Sequence, residues 1–120
     1  MPEKKLFILS HVFIDQDRDI SSELVESTDW LQAYKDFVRK SIYITRLCVR
    51  AISFHELREV PSDVKEEAFA DEGDSDTYIK YFDLVVSSMD DTEWYYVDQY
   101  LKNNGNTCIA VYSLTESCNF

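Results

Sequence analysis

The strongest regularity in the order of apolar and polar positions lies between Asp29 and Ile52. At about 100° per residue, its apolar side chains fall on one broad face, which is the pattern of an amphipathic helix. Four basic side chains share the opposite face: Lys35, Arg39, Arg46 and Arg50. A strand would mix these cations with apolar positions, because its side chains alternate between two faces. The sequence therefore predicts one long helix, continuous or broken near Ser41 and capped by Ser27 or Thr28.

A second, shorter helix is predicted to start at Asp90 and to end at Asn104. Asp90 and Glu93 have the spacing of a capping box, and Asn104 with Gly105 supplies a left-handed C-terminal stop. An apolar stripe with the helical period runs along it. Across both helices we expect these residues in the core: Trp30, Phe37, Ile44, Trp94, Val97 and Leu101.

Three apolar stretches rich in β-branched and aromatic residues predict strands over residues 5–14, 77–87 and 107–114. Residues 15–26 are expected to form an acidic loop, and residues 62–69 a short helix inside the acidic segment 62–76. The order strand, helix, acidic segment, strand, helix, strand is that of an α+β fold. We expect a small sheet of three or more strands packed against one long and one shorter helix, in a single acidic domain over residues 1–120.

The charge of the chain changes this picture most. Its 120 residues include 23 acidic and 12 basic side chains, for a net charge of -11. A hydrophobic fraction of 45% is enough to form a core, so the acidity does not indicate disorder. Such a chain repels nucleic acid and anionic membranes and attracts basic surfaces. We therefore expect a basic protein partner and no direct binding of nucleic acid or membrane, while the oligomeric state stays open.

The cysteines indicate a reducing compartment. Cys48, Cys108 and Cys118 lack the paired spacing of a disulfide framework or of a zinc site. We interpret them as unpaired, mostly buried thiols. The apolar stretch after Lys4 and Lys5 is too short for a signal peptide, and none is long enough to span a bilayer. The sequence predicts a cytoplasmic protein.

One acidic stretch has the ligand spacing of a calcium loop. Its carboxylates occupy positions 1, 3, 5, 9 and 12 of that motif: Asp15, Asp17, Asp19, Glu23 and Glu26. Ile20 stands where the sharp turn needs glycine, so we predict no metal site. His11 and His55 accompany no nucleophile motif or glycine-rich phosphate loop, and we expect neither an enzyme nor a cofactor.

Two carboxylate-rich patches are the candidate partner-binding residues. The first lies in the acidic segment and comprises Asp63, Glu66, Glu67, Asp71, Glu72, Asp74 and Asp76. The second lies on the shorter helix and comprises Asp91, Tyr95 and Asp98. Tyr95 is the expected aromatic anchor, because its helical phase directs it away from the apolar stripe and tyrosine is frequent in binding hot spots. The four basic side chains of the long helix are expected to neutralise nearby carboxylates of the same chain, for example those of the acidic segment.

These observations favour an acidic inhibitor that engages a basic, nucleic-acid-binding enzyme. Rows of carboxylates can occupy a groove that normally binds phosphates, as in an anti-restriction, anti-CRISPR or nuclease-immunity protein. The alternative is an acidic housekeeping or regulatory interaction domain without mimicry. A small calcium-responsive domain or an enzyme is a less favoured alternative. A contiguous acidic face without Lys and Arg favours the inhibitor, whereas carboxylates interleaved with the basic side chains favour the interaction domain.

Overall fold

The fold is α+β, as predicted. A computed structural model describes residues 5–13, 20–70 and 75–113 of the chain, apart from the side chains of Ser75 and Ser113. Contacts divide them into a sheet unit, formed by the described residues up to Phe37 and from Asn106 onward, and a helical unit, Val38–Gly105. That the chain forms a single domain stays a prediction.

The sheet unit contains a three-stranded antiparallel sheet. Its strands are β1 (Lys5–Phe13), β2 (Ser21–Ser27) and β3 (Thr107–Ser113), and β1 lies between the other two. Phe7 of β1 pairs with Val25, and Leu9 pairs with Val111. Because successive side chains alternate between faces, Phe7 and Leu9 are buried together with Ile109 on one face. Leu24 and Tyr112 flank Ile8 on the other face and are exposed.

The predicted strands at both ends of the chain are confirmed by β1 and β3, but the middle one is wrong. Residues 77–87 lie mainly in a helix, α4 (Ser75–Val85). The remaining strand of the sheet is β2, which lies mainly in the segment predicted to be an acidic loop. Tyr78, Tyr81 and Phe82 are buried at helical spacing, so burial on one helix face overrides the strand preference of the side chains.

The predicted long helix is two helices, α1 (Trp30–Lys40) and α2 (Ile42–Phe54), and the break is at Ser41. The Ser41 hydroxyl accepts a hydrogen bond from the Ile44 amide at 3.3 Å, which caps α2. At the start of α1, Asp29 is the capping residue instead of Ser27 or Thr28. Its carboxylate accepts from the Gln32 amide at 2.8 Å.

The helical unit also contains α3 (Ser62–Phe69), as predicted for that segment, and α5 (Asp91–Gly105). A short 3₁₀ turn, Val86–Ser88, follows α4. Helix α2 packs against α3, α4 and α5. Four expected core residues are buried: Ile44, Trp94, Val97 and Leu101. Trp30 is 48% exposed and Phe37 is only half-buried, because the face of α1 predicted to be inward is covered only in part.

The predictions for the two ends of α5 differ in how well they agree with the structure. The capping box is confirmed: the Glu93 amide donates to Asp90 at 2.9 Å, and the Asp90 amide donates to Glu93 at 3.2 Å. The left-handed stop lies one residue later than predicted, at Asn106 with φ 49°. Gly105 is helical and buried, and a Cβ there would meet Leu47 Cδ1 at 2.6 Å. A larger residue at 105 would therefore require the Leu47 side chain to shift.

Candidate partner-binding surface

The acidic segment supplies exposed carboxylates on two helices. Asp63 and Glu66 are exposed on α3, Glu67 is half-buried there, and Asp76 is exposed in the first turn of α4. Asp71, Glu72 and Asp74 lie outside the described residues. Asp63 and Asp76 also have a local structural role, because a carboxylate in the first turn interacts favourably with the helix dipole. Lys65 is exposed on α3 as well, so this patch is not purely acidic.

The second predicted patch lies on the outer face of α5. Asp91 is exposed in the first turn, and Tyr95, one turn later, is 60% exposed. Asp98 forms an ion pair with Lys102 at 3.1 Å, so its carboxylate is neutralised within α5. Since α3 packs on α2 and α4 while α5 packs on α2, separate helices carry the two patches.

Five aromatic rings form a continuous series of contacts that begins at the predicted anchor Tyr95 and ends at a buried ring. We call this set the aromatic surface: Phe54, His55, Tyr95, Tyr96 and Tyr100. Ring centroids are 5.8 Å apart between Tyr95 and Tyr96, 5.3 Å between Tyr96 and His55, and 4.9 Å between His55 and Phe54. Phe54 also lies 5.5 Å from Tyr100, which is buried. Burial raises the pKa of the Tyr100 hydroxyl, which therefore stays protonated.

The C-terminal turn of α2 brings two of these rings to α5. The Leu57 amide donates to the Ile52 carbonyl at 3.0 Å and the Glu56 amide donates to the Ser53 carbonyl at 3.2 Å, as in a Schellman motif. Glu56 has φ 54°, a left-handed conformation that normally favours glycine. The turn ends α2 directly after Phe54 and places the imidazole of His55 beside Tyr96.

A polar network fixes this turn against α5. Arg58 donates from Nη2 to the Glu93 carboxylate and to the Ser88 carbonyl, both at 3.0 Å, and from Nη1 to the Leu57 carbonyl at 3.0 Å. It makes a second ion-pair contact to Glu93 through Nη1. Glu93 belongs to the capping box as well, so one carboxylate joins the turn after α2 to the start of α5.

The three arginines of α1 and α2 have partners within the helical unit. Arg46 donates from Nε to the Ala68 carbonyl at 3.1 Å, and Arg50 donates to the carbonyls of Ala68 and Ala70. Arg39 forms a two-point ion pair with Asp83, at 2.8 and 3.2 Å. Arg39 therefore neutralises a nearby carboxylate, as expected, whereas the described contacts of Arg46 and Arg50 are hydrogen bonds to carbonyls at the end of α3. Guanidinium groups suit that position, since these carbonyls lack helical partners.

The placement of charge leaves one part of the helical unit strongly negative. Residues 56–98 contain 14 of the 23 acidic side chains and three of the 12 basic ones. One of those three, Arg58, is bound to Glu93. Tyr95 and Tyr96 of the aromatic surface lie within this acidic stretch, and Phe54 and His55 directly precede it in the sequence.

The alternative chemistries receive little support from the described residues. Glu23 and Glu26 of β2 lie three positions apart in a strand and hence on opposite faces, which does not suit one calcium ion; Asp15, Asp17 and Asp19 lie outside the described residues. The described part of the chain contains no cluster of three or more metal-ligating side chains. Burial raises the pKa of the Cys48 thiol, which opposes its use as a nucleophile.

The histidines lie among aromatic rings. His11 is 4.5 Å from Phe13 and 5.3 Å from Phe37, and burial lowers its pKa. His55 belongs to the aromatic surface. Within the described ranges, no helix is both long and apolar enough to cross a membrane.

Comparison of the chain with protein-family models, with curated proteins and with solved structures found no significant match. The charges and contacts of the helical unit are therefore the basis for inferring a function.

Proposed function

We propose that this chain is a cytoplasmic protein-binding inhibitor that engages a basic, nucleic-acid-binding enzyme and is not itself an enzyme. The observation that carries the proposal is that arginines and carboxylates in the helical unit differ in their exposure and in their partners. Arginines 39, 46, 50 and 58 each have a partner within the fold, whereas Asp63, Glu66 and Asp91 are exposed. The exposed Lys65 and Lys80 offset these carboxylates only in part, because residues 56–98 hold 14 acidic and three basic side chains. The outward field is consequently negative, which favours fast association with a basic surface.

The aromatic surface supports binding in addition to charge. Carboxylates alone give rapid but weak association, since exposed ion pairs contribute little to affinity. Tyrosine rings add contact area at low entropic cost and are frequent at the centres of interfaces. A surface of exposed tyrosines beside carboxylates therefore supplies both the attraction and the retention that an inhibitor needs.

Capture of a partner from native host cells, or from cells that the host infects, tests the proposal. The captured protein should be basic, it should act on nucleic acid, and its activity should fall when the purified chain is added. Its association rate should also fall steeply as salt rises. A partner that is not basic, or whose affinity is indifferent to salt, contradicts the proposal.

Two observations favour the alternative of an acidic interaction domain without inhibition. Lys65 is exposed among the carboxylates of α3, so that patch is interleaved with basic charge. Asp63, Asp76 and Asp91 all stand in first turns of helices, where they stabilise the fold whatever the partner. The same purified partner separates the two functions. Binding that leaves its activity intact favours the interaction domain, and binding that blocks its activity favours the inhibitor.

A further inference from the structure

We propose that the aromatic surface is an arginine-binding site that takes guanidinium side chains from a basic segment of the partner. This inference rests on the proposed function and specifies which group of the partner is recognised and where.

The first step is the exposure of the rings. Phe54 is 64% exposed, Tyr95 is 60% exposed and Tyr96 is 43% exposed, and each has a ring neighbour within the same surface. Contiguous apolar area of this kind marks an interaction site more often than scattered apolar residues do. The network of Arg58 and Glu93 joins the two segments that contribute the rings.

The second step is the chemistry of the rings and their neighbours. The face of an aromatic ring is electronegative and attracts a cation within about 6 Å, arginine more often than lysine. Asp91 lies one turn before Tyr95 on α5, and Glu56 follows His55; both carboxylates are exposed. A guanidinium can stack on a ring with its plane and donate from its edge to a carboxylate, whereas an ammonium group has no such plane.

The third step is that the same recognition occurs within the chain. The guanidinium carbon of Arg50 lies 5.5 Å from the ring centroid of Phe69, and its nitrogens donate to the Ala68 and Ala70 carbonyls. A guanidinium here binds a ring face and oxygen acceptors together. The aromatic surface offers an external arginine the same combination, with carboxylates in place of carbonyls.

Charge decides between the possible occupants. Nucleic-acid bases also stack on exposed tyrosines, but the net charge of -11 and the exposed Glu56 and Asp91 beside the rings would repel their phosphates. A second copy of the chain carries the same net charge of -11 and is repelled. A basic protein segment is the occupant that the charge attracts.

Two labelled peptides of equal length and charge, one alternating arginine with glycine and the other lysine with glycine, test the inference by fluorescence anisotropy. The arginine peptide should bind the intact chain roughly fivefold more tightly than the lysine peptide, as expected for an exposed cation–π contact. The combined variant Tyr95→Leu with Tyr96→Leu keeps apolar area but removes the rings, so this preference should disappear. The single variant Tyr95→Leu should reduce the preference for arginine, and it replaces the combined variant if that variant is unstable.

Tyr112→Leu is the matched control, because Tyr112 is 61% exposed and lies on β3 in the sheet unit. It should leave the arginine preference unchanged. Equal binding of both peptides to the intact chain, or the same loss in the control, overturns the arginine site but leaves salt-dependent binding of a basic partner standing. Failure of both peptides to bind at low salt also overturns the site, and the captured partner then decides the proposed function separately.

Discussion

The two faces of α5 share one helix but have opposite relations to the rest of the molecule. On the inner face, Trp94, Val97 and Leu101 are at most 3% exposed and belong to the core of the helical unit. On the outer face, Asp91 and Tyr95 are exposed. Packing determines which residues can occupy the inner face, so substitutions there change the stability of the fold. The outer face contributes little to packing, so its residues are available for recognition.

The largest expected effect is on the inner face. Leu101→Ala removes a fully buried side chain and should lower the free energy of unfolding by about 2–5 kcal/mol. Leu84→Ala is the matched control, because Leu84 is 78% exposed and its loss should change stability by less than about 0.5 kcal/mol. Urea denaturation measures both. Equal losses in the two variants would mean that this helix packing is wrong.

The next largest effect is expected at the joint between α5 and the turn after α2. Arg58→Ala leaves the mostly buried Glu93 without its partner and should cost roughly 1.5–3 kcal/mol. Arg39→Ala breaks the exposed pair with Asp83 and should cost at most about 1 kcal/mol. Thermal unfolding compares the two variants. Equal losses of stability in the two variants would show that the network of Arg58 and Glu93 does not stabilise this turn.

Glu56→Gly should act in the opposite direction. Glycine adopts the left-handed conformation of position 56 without strain, so the variant should gain roughly 0.5–1 kcal/mol of stability. Asn106→Gly is the comparison, because asparagine tolerates φ 49° better than glutamate tolerates φ 54° and its gain should be smaller. A loss of stability in Glu56→Gly, measured by thermal unfolding, would show that the glutamate side chain itself supports the turn.

The smallest effect on stability is expected on the outer face. Tyr95→Ala should change the free energy of unfolding by no more than about 0.5 kcal/mol, whereas Trp94→Ala, its buried neighbour, should cost about 3–5 kcal/mol. With a purified partner, Tyr95→Ala should mainly speed dissociation, since interface truncations act on the dissociation rate. A Tyr95 variant that melts early and dissociates normally would reverse the assignment of the two faces.

The local elements of the fold were predictable because their signals lie within a few residues. The capping box of Asp90 and Glu93 and the short helix α3 follow from spacing and charge alone. The strand β2 was missed because it has few apolar residues and pairs at a sheet edge. The helix α4 was misassigned because Tyr78, Tyr81 and Phe82 favour strands in isolation, and only burial against neighbouring helices decides their conformation.

The candidate surface was predictable only in part, because some of its residues meet through contacts between segments that are distant in the sequence. Helical phase alone directs Tyr95 outward, as observed. Phe54 and His55 follow α2, far from α5 in sequence, and only the Schellman turn and the Arg58 network bring them to Tyr96. A periodic pattern within one helix contains no information on that contact. Arg46 and Arg50 were predicted to neutralise carboxylates. They bind backbone carbonyls instead, and every residue has a carbonyl, so the sequence does not indicate which ones act as acceptors.

Kinetics of a purified partner test the central claim most directly, which is that exposed carboxylates attract the partner and the aromatic surface retains it. Association and dissociation rates should be measured over a range of salt for the intact chain, for Asp63→Lys with Glu66→Lys, and for Tyr95→Ala. The charge reversal should slow association and flatten its salt dependence, while Tyr95→Ala should raise the dissociation rate with association almost unchanged. Rates that are indifferent to salt and to both changes would contradict the account.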